Sequence, residues 1–340
     1  MLKNTVLTSI KILFAGALLY WMIQKGLLDL RILAHLAQPE YLIISAGLML
    51  LMLINNNYRW TILLRSQGFD IGFRQTMPLS FIGLFFNYAM PGGVGGDIVK
   101  AYYLLQDYPD KKMVAATTIL MDRITGIFGM AMMASIALLI DIQHVLQHRE
   151  LIQLALLVWT LWLSMIVFFI IAFYPPQWAI LQPFLRKSEG LPGYSFVKSL
   201  FWTVHSYKKE LEKFYYSLLL GLTAQFLNVG LIWFLVSRTS EDVFPANVFF
   251  VGVPVGLIIT VVPISPAGVG IGQAAFYFLF KLYSGIASDA GPNAVTTMQV
   301  LLLSWGLIGV YYYIMRSKKS GLISPQQLNE QETSDESAPP

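Results

Sequence analysis

A glycine-rich break inside an apolar region is the segment best able to bind a ligand. In PGGVGGDIVK, glycines lie between Pro91 and Asp97, and Lys100 follows. These glycines are Gly92, Gly93, Gly95 and Gly96. A helix restarting near Asp97 would present free N–H groups and its positive dipole end to an anion. The segment therefore predicts a phosphate or phospholipid headgroup site. The alternative is that Asp97 caps its own helix and the glycines only permit tight packing.

A second break of similar composition occurs late in the chain, in PISPAGVGIGQ. It contains Pro266, Gly268 and Gly270, and Gln273 follows. The helix that restarts here would direct its N-terminus at the same ligand from the other side. Gln273 is predicted to be either a headgroup contact or a helix cap.

Two adjacent charges, Asp122 and Arg123, interrupt another long apolar run. They lie about ten residues beyond Lys112, roughly 15 Å at helical rise, which is near the middle of a bilayer. A charge there costs about 3 kcal/mol, so both side chains need partners. Arg123 is predicted to meet Asp97 or a lipid phosphate, and Asp122 is a candidate proton carrier. The alternative is a buried structural ion pair.

Other ligand classes fit the sequence poorly. A Walker loop needs Lys-Ser or Lys-Thr after its last glycine, where this chain has GGDIVKA, and a dinucleotide fingerprint needs a preceding strand. His144 and His148 are four residues apart, but a third ligand is missing from their neighbourhood and the chain has no cysteine. We therefore expect no metal, no cofactor and no nucleic-acid partner.

The composition indicates that lipid is the main solvent. Of 340 residues, 56% are hydrophobic and only 12% are charged, about half the charged share of a soluble domain. Apolar runs predict an all-α polytopic membrane protein with about six full spans. The predicted spans are 10–24, 41–54, 114–140, 151–173, 217–236 and 295–315. The second extends to about residue 64 if NNNYRW is partly submerged.

Two further apolar regions, 78–105 and 245–283, contain the breaks and are predicted to be re-entrant helical hairpins. Their breakpoints share PGGVG and PAGVG. Most lysines and arginines fall on one side of the membrane if the first hairpin enters from the cytoplasm, and the second hairpin then enters from the opposite face. Both termini are then cytoplasmic, and the two halves form an inverted repeat.

The domain prediction is a membrane domain over 1–316 and a disordered cytoplasmic tail over 317–340. Within the cytoplasmic loop 174–214, apolar residues recur at helical spacing around Phe201 and Val204. This helix either lies on the anionic inner leaflet or packs on the membrane domain. Gln225 and Asn228 are predicted to hydrogen-bond between helices.

Three segments together resemble a known family. NYAMPGGVGGDIVKAYYLL, AATTILMDRITGI and VVPISPAGVGIGQAAF are similar to the lysylphosphatidylglycerol synthase transmembrane region family, which is also called flippase-like. The resemblance implies residence in a bacterial inner membrane and a lipid-related role. It also implies that the motif positions are Pro91, Gly92, Gly93, Gly95, Gly96, Asp97, Lys100 and Arg123.

The sequence departs from this family in two places. Relatives commonly carry a glutamate where this chain has Gln273, and the synthase members carry a soluble aminoacyl-transfer domain after the membrane part. We therefore expect a stand-alone membrane domain that does not make lysylphosphatidylglycerol itself. The expected function is flipping of an anionic lipid, such as a phospholipid or a polyprenyl-phosphate lipid. The alternatives are an integral membrane lipid transferase and a non-transporting subunit that partners a lipid-modifying enzyme.

Overall fold

The computed structural model describes residues 38–90, 94–173, 201–202, 204–262 and 266–320, and every regular element in those ranges is helical. The α-helices with described bounds are α1 Pro39–Ser66, α2 Phe73–Ala89, α3 Gly95–Asp107, α4 Lys112–Ile140, α5 Ile142–Gln147, α6 Arg149–Phe173, α7 Leu211–Thr239, α8 Ala246–Val261, α9 Ile271–Ser284 and α10 Ala290–Ser320. Short 3-10 turns occur at Pro109–Lys111, Tyr207–Glu210 and Pro266–Gly268.

Five helices, α1, α4, α6, α7 and α10, are long and apolar enough to cross a membrane. They confirm an all-α polytopic membrane protein, because a helix satisfies its own backbone hydrogen bonds in lipid. α1 continues through NNNYRW, as the longer of the two predicted bounds required. The sixth predicted span, 10–24, lies outside the described residues, as do Pro91, Gly92 and Gly93 at the first break.

The first hairpin consists of α2 and α3, and both of its outer ends lie beside the start of α4. The Tyr108 hydroxyl, just after α3, donates to the carbonyl of Asp70, just before α2, at 2.6 Å. At the same end of the molecule, Arg316 of α10 forms an ion pair with Asp107 of α3.

The second hairpin, α8 and α9, is attached to the opposite end of α4. Asp141 immediately follows α4, and its Oδ2 accepts hydrogen bonds from Asn247 Nδ2 at 2.7 Å and from the Tyr283 hydroxyl at 2.6 Å. Asn247 lies at the start of α8 and Tyr283 at the end of α9. The two hairpins therefore enter the helix bundle from opposite ends.

The two halves of the chain repeat one pattern of four helices. α1 to α4 contain 28, 17, 13 and 29 residues, and α7 to α10 contain 29, 16, 14 and 31. Pro78 lies inside α2 and Pro254, 176 positions later, lies inside α8. The long helix that ends each repeat packs against the first half-helix of the other repeat, α4 on α8 and α10 on α2. This arrangement is the inverted repeat that the sequence predicted.

The described end of the loop 174–214 packs on protein. Val204 and Tyr207 are fully buried, and Tyr207 joins Phe214 of α7 and Phe169 and Phe173 of α6 in one aromatic cluster. These residues pack on α6 and α7, and the rest of the loop, residues 174–200 and 203, lies outside the described residues. α10 runs to Ser320, so the helix extends four residues into the predicted tail; residues 321–340 are not described.

Candidate functional site

Glycines bring the two halves of the first hairpin into very close contact. A Cβ added to Gly96 would lie 1.9 Å from the Gly83 carbonyl oxygen, so α3 crosses α2 at backbone distance. The Gly96 amide donates to Asn87 Oδ1 at 2.9 Å, which gives this N-terminal amide a protein partner. The Lys100 stem covers Gly83, and its Nζ lies 4.9 Å from the centre of the Trp60 ring. Asn87, rather than Asp97, therefore caps this half-helix.

The second break uses left-handed backbone. Ala267, Gly268 and Gly270 have φ values of 48°, 72° and 83°, a region in which glycine carries no steric penalty. The Gly270 amide donates to Gln273 Oε1 at 2.6 Å, so Gln273 is the cap of α9. Pro266 begins the 3-10 turn that connects the two half-helices. Both breakpoint amides named here are thus occupied by amide side chains.

Equivalent side-chain pairs tie each returning half-helix to the long helix that follows it. In the first repeat, Asp97 of α3 forms an ion pair with Arg123 of α4. In the second, Gln273 Nε2 of α9 donates to Gln299 Oε1 of α10 at 2.8 Å. Gln273 follows Asp97 by 176 positions, and Gln299 follows Arg123 by the same interval. One repeat therefore carries opposite charges where the other carries neutral amides.

The amide pair also supports the second breakpoint. Gln299 Nε2 donates to the Ala267 carbonyl at 3.3 Å, and Gln273 Nε2 also donates to Thr296 Oγ1 at 3.0 Å. The backbone turn, the α9 cap and α10 are thus held by one network of hydrogen bonds.

Gln273→Ala is expected to lower the free energy of unfolding by about 1–2 kcal/mol, because it removes the cap and the bonds to α10. Thermal denaturation of the purified protein, followed by size-exclusion chromatography, measures the effect. Gln106→Ala is the matched control, since Gln106 is bonded to Tyr102 on the exposed surface. An unchanged melting temperature for Gln273→Ala would show that the network contributes little.

Arg59 of α1 supplies a second ion pair at the first breakpoint. Its Nε donates to Asp122 Oδ1 at 2.8 Å, and only 6% of the residue is exposed. Two glycines leave space for its guanidinium group: a Cβ on Gly126 would lie 3.3 Å from Nη2, and a Cβ on Gly221 would lie 3.7 Å from Nη1. The adjacent residues Asp122 and Arg123 therefore have different partners, Arg59 on α1 and Asp97 on α3.

A cavity of about 300 Å³ lies between the last turns of α2, just before the first break, and the turn at Ala267 in the second break. It lies between the two hairpins and the long helices α1, α4 and α10. Its lining comprises Arg59, Leu84, Asn87, Tyr88, Asp122, Arg123, Gly126, Ile127, Met130, Thr260, Val261, Ala267 and Leu302. The polar lining comes chiefly from the first repeat, and the second repeat contributes its backbone turn at Ala267.

Charged side chains cluster around the first breakpoint with an excess of positive charge. The five are Arg59, Asp97, Lys100, Asp122 and Arg123, three basic and two acidic, for a net charge of +1. Lys100 forms no ion pair with an acidic residue of the described chain. This interior region is therefore suited to one negative charge.

A larger groove, about 530 Å³, lies between α1 and α7 near their ends. Its basic residues already have protein partners: Arg65 Nε donates to the Ile71 carbonyl at 2.8 Å, and Lys213 pairs with Glu210 at 3.2 Å. Tyrosine and aliphatic side chains form most of its remaining lining. No described residue of either breakpoint lines this groove, so the smaller cavity is the better candidate site.

Comparison with known proteins identifies the family. The family model for the lysylphosphatidylglycerol synthase TM region matches residues 8–309. The chain belongs to this family. A UPF0104 membrane protein of Methanocaldococcus jannaschii is 30% identical over 131 residues, which cover 37% of this chain and 38% of that protein. Another, of Methanothermobacter thermautotrophicus, is 22% identical over 287 residues, which cover 79% of this chain and 82% of the relative. No solved structure matches.

As a lysylphosphatidylglycerol synthase TM region protein, the chain places its motif residues unevenly around the cavity. Arg123 and Asp122 line it directly. Asp97 contacts it through Arg123, and Lys100, which is not part of the lining, lies over the Trp60 ring. Gly95 and Gly96 pack against Met90 and Gly83, and Gly268 packs against Thr260.

The sequence analysis missed Arg59, Asn87, Tyr88 and Gln299. The available signal for Arg59 was a charge within NNNYRW, the segment that is partly submerged if the second predicted span extends to about residue 64. Gln225 and Asn228 are buried, and Asn228 Nδ2 lies 3.4 Å from Gln225 Oε1 of the same helix, so the bond described is within α7.

Proposed function

We propose that this protein moves an anionic lipid, such as a phospholipid or a polyprenyl-phosphate lipid, between the leaflets of a membrane. One observation carries the proposal: two hairpins that enter from opposite ends of the bundle meet at one cavity, whose wall contains Arg59, Asp122 and Arg123. Interrupted helices at matching positions of an inverted repeat are typical of transporter binding sites.

The proposed path carries only the headgroup through protein. The acyl chains remain in the bilayer, because lipid already solvates them well. A negatively charged headgroup competes with Asp97 for Arg123 and adds its charge to a region whose net charge is +1. Protonation of Asp97 or Asp122 would offset the added negative charge and would couple movement to a pH gradient.

The proposed location is a bacterial inner membrane with both termini cytoplasmic. The end of the bundle that contains the first hairpin's outer ends carries most of the basic residues. Among the described residues there, these are Arg65, Arg74, Lys111, Lys112, Lys208, Lys209, Lys213 and Arg316. Such an excess of lysine and arginine is typical of cytoplasmic loops.

A reconstituted assay tests the proposal. The purified chain is placed in liposomes that contain one fluorescent lipid at a time: phosphatidylglycerol, a polyprenyl phosphate, phosphatidylethanolamine or phosphatidylcholine. Bleaching of the outer leaflet with dithionite then reports movement, with and without a pH gradient. We expect anionic lipids to move faster than in protein-free liposomes, and phosphatidylcholine to move at the protein-free rate.

Three outcomes would contradict the proposal. Equal movement of all lipids indicates an unselective leak, and chemical conversion of a labelled donor lipid indicates a transferase. Absence of movement for every lipid, combined with stoichiometric co-purification with a lipid-modifying enzyme, indicates a partner subunit.

A further inference from the structure

The guanidinium group of Arg59 is only partly satisfied by the protein. Nε donates to Asp122, but Nη1 and Nη2 donate to no residue that the structure describes. The residue is 94% buried, so bulk water does not solvate this end fully. A buried arginine with unused donors is costly unless a ligand or ordered water accepts from it.

The Nη end lies at one wall of the cavity. Nη2 and Nη1 are 3.3 and 3.4 Å from the position that a Cβ on Gly126 would take, and Gly126 itself lines the cavity. The absence of a side chain at Gly126 therefore leaves the two Nη groups accessible from the cavity. Two parallel N–H donors can bind two oxygens of one phosphate. Arginine forms this bidentate contact, whereas the lysine ammonium group binds phosphate as a point charge.

A second wall offers further donors. Tyr88 of α2 is 5% exposed and lines the cavity, and its hydroxyl hydrogen-bonds to no residue in the described ranges. Asn87 beside it uses Oδ1 to cap Gly96, and its Nδ2 has no partner within the same ranges. The cavity thus holds donors from α1 and from α2. The Arg59–Asp122 ion pair joins α1 to α4, and the hydrogen bond from the Gly96 amide to Asn87 joins α3 to α2.

We infer that Arg59, supported by Tyr88 and Asn87, forms a phosphodiester-binding subsite for a lipid headgroup that carries a single negative charge. This inference deepens the proposed function and rests on it for the lipid source of the phosphate. The charge balance selects the class: one negative charge neutralises the +1 of the five clustered side chains, whereas a phosphomonoester dianion leaves an excess negative charge in the bundle interior.

Binding of short-chain lipids to the full chain in detergent tests the subsite. The probes are dihexanoyl phosphatidylglycerol, dihexanoyl phosphatidate and dihexanoyl phosphatidylcholine, with inorganic phosphate as competitor. We expect phosphatidylglycerol to bind most tightly, and Arg59→Lys to weaken it about tenfold, as expected for loss of one charge-assisted hydrogen bond. Displacement by millimolar inorganic phosphate would instead identify free phosphate as the ligand and overturn the lipid assignment.

Two further variants separate binding from folding. Gly126→Ala places a methyl group against Nη1 and Nη2 and should weaken binding, whereas Gly230→Ala, with open space around it, should not. The double variant Arg59→Gln with Asp122→Asn removes both charges of the ion pair together. If Arg59 has only a structural role, this variant should bind phosphatidylglycerol as tightly as the unmodified protein. Restored binding there, or unchanged binding in Arg59→Lys, would overturn the inference.

The two proposals fail in different ways. Tight binding that depends on Arg59, without movement in liposomes, leaves the subsite intact and refutes the flippase. Movement of phosphatidylglycerol that is unaffected by Arg59→Lys leaves the flippase intact and refutes the subsite.

Discussion

Replacement of Asp97 by asparagine, or of Arg123 by glutamine, is expected to abolish lipid movement and reduce the yield of folded protein. Each change removes the opposite charge that the remaining member of the pair contacts between α3 and α4. Breaking a buried pair costs about 3–5 kcal/mol, and we expect the lower end because the side chains retain 21% and 29% exposure. Size-exclusion chromatography and the liposome assay measure the two effects separately.

The double variant Asp97→Asn with Arg123→Gln distinguishes a structural pair from a functional one. Neutral amides occupy the equivalent positions in the second repeat, where Gln273 and Gln299 are hydrogen-bonded, so the fold should accept them in the first. We expect folded protein in normal yield and no movement of anionic lipid. Transport by the double variant at the rate of the unmodified protein would make the pair purely structural and would remove Arg123 from the headgroup path.

Features local in the chain were predictable from the sequence. Five spans follow from apolar runs, because the cost of burying a charge in lipid keeps such runs nearly free of charged residues. The two hairpins follow from Pro and Gly at the breaks, since lipid excludes irregular backbone unless protein surrounds it. The opposite entry of the hairpins followed from the distribution of basic residues and agrees with the contacts at Asp141 and Tyr108.

Features that depend on packing between distant helices were less predictable. Arg59 and Asp122 are 63 positions apart, and neither residue type nor spacing specifies that pairing. Likewise, the predicted anion contacts at the half-helix ends assumed free amides. In the structure, the Gly96 amide donates to Asn87, nine positions earlier, and the Gly270 amide donates to Gln273. A glycine pattern predicts where a helix begins, but it does not predict whether a side chain elsewhere in the chain caps the free amides of that helix.

The repeat interval contains information that the breakpoint motifs alone do not. At an interval of 176 positions, Pro78 aligns with Pro254, Asp97 with Gln273 and Arg123 with Gln299. The same interval aligns Asp122 with Met298 and Arg59 with Leu235, so both ion pairs belong to the first repeat. The two repeats therefore have similar helix geometry, but only the first repeat carries the charged side chains at these positions. A headgroup that visits both breakpoints would have its electrostatic contacts on one side only.

Covalent connection of the two breakpoints is expected to stop lipid movement completely and reversibly. Leu84 of α2 and Ala267 in the second breakpoint both line the cavity, and they pack in one small apolar cluster with Tyr88 and Leu303. The chain contains no cysteine, so a Leu84→Cys, Ala267→Cys variant has no background thiols. A short bifunctional thiol reagent would hold the hairpins together across the cavity, and a reagent with an internal disulfide allows release by reductant.

The physical reason for this expectation is that packed interiors do not deform continuously. A cavity of about 300 Å³ lined by Leu84, Ala267 and Leu302 must widen before a hydrated headgroup passes between the hairpins. The single variants Leu84→Cys and Ala267→Cys, treated with the same reagent, should retain movement, and reduction should restore it in the cross-linked protein. Movement at the original rate in fully cross-linked protein would mean that the headgroup takes another route, because the cross-link prevents the two hairpins from separating at this cavity.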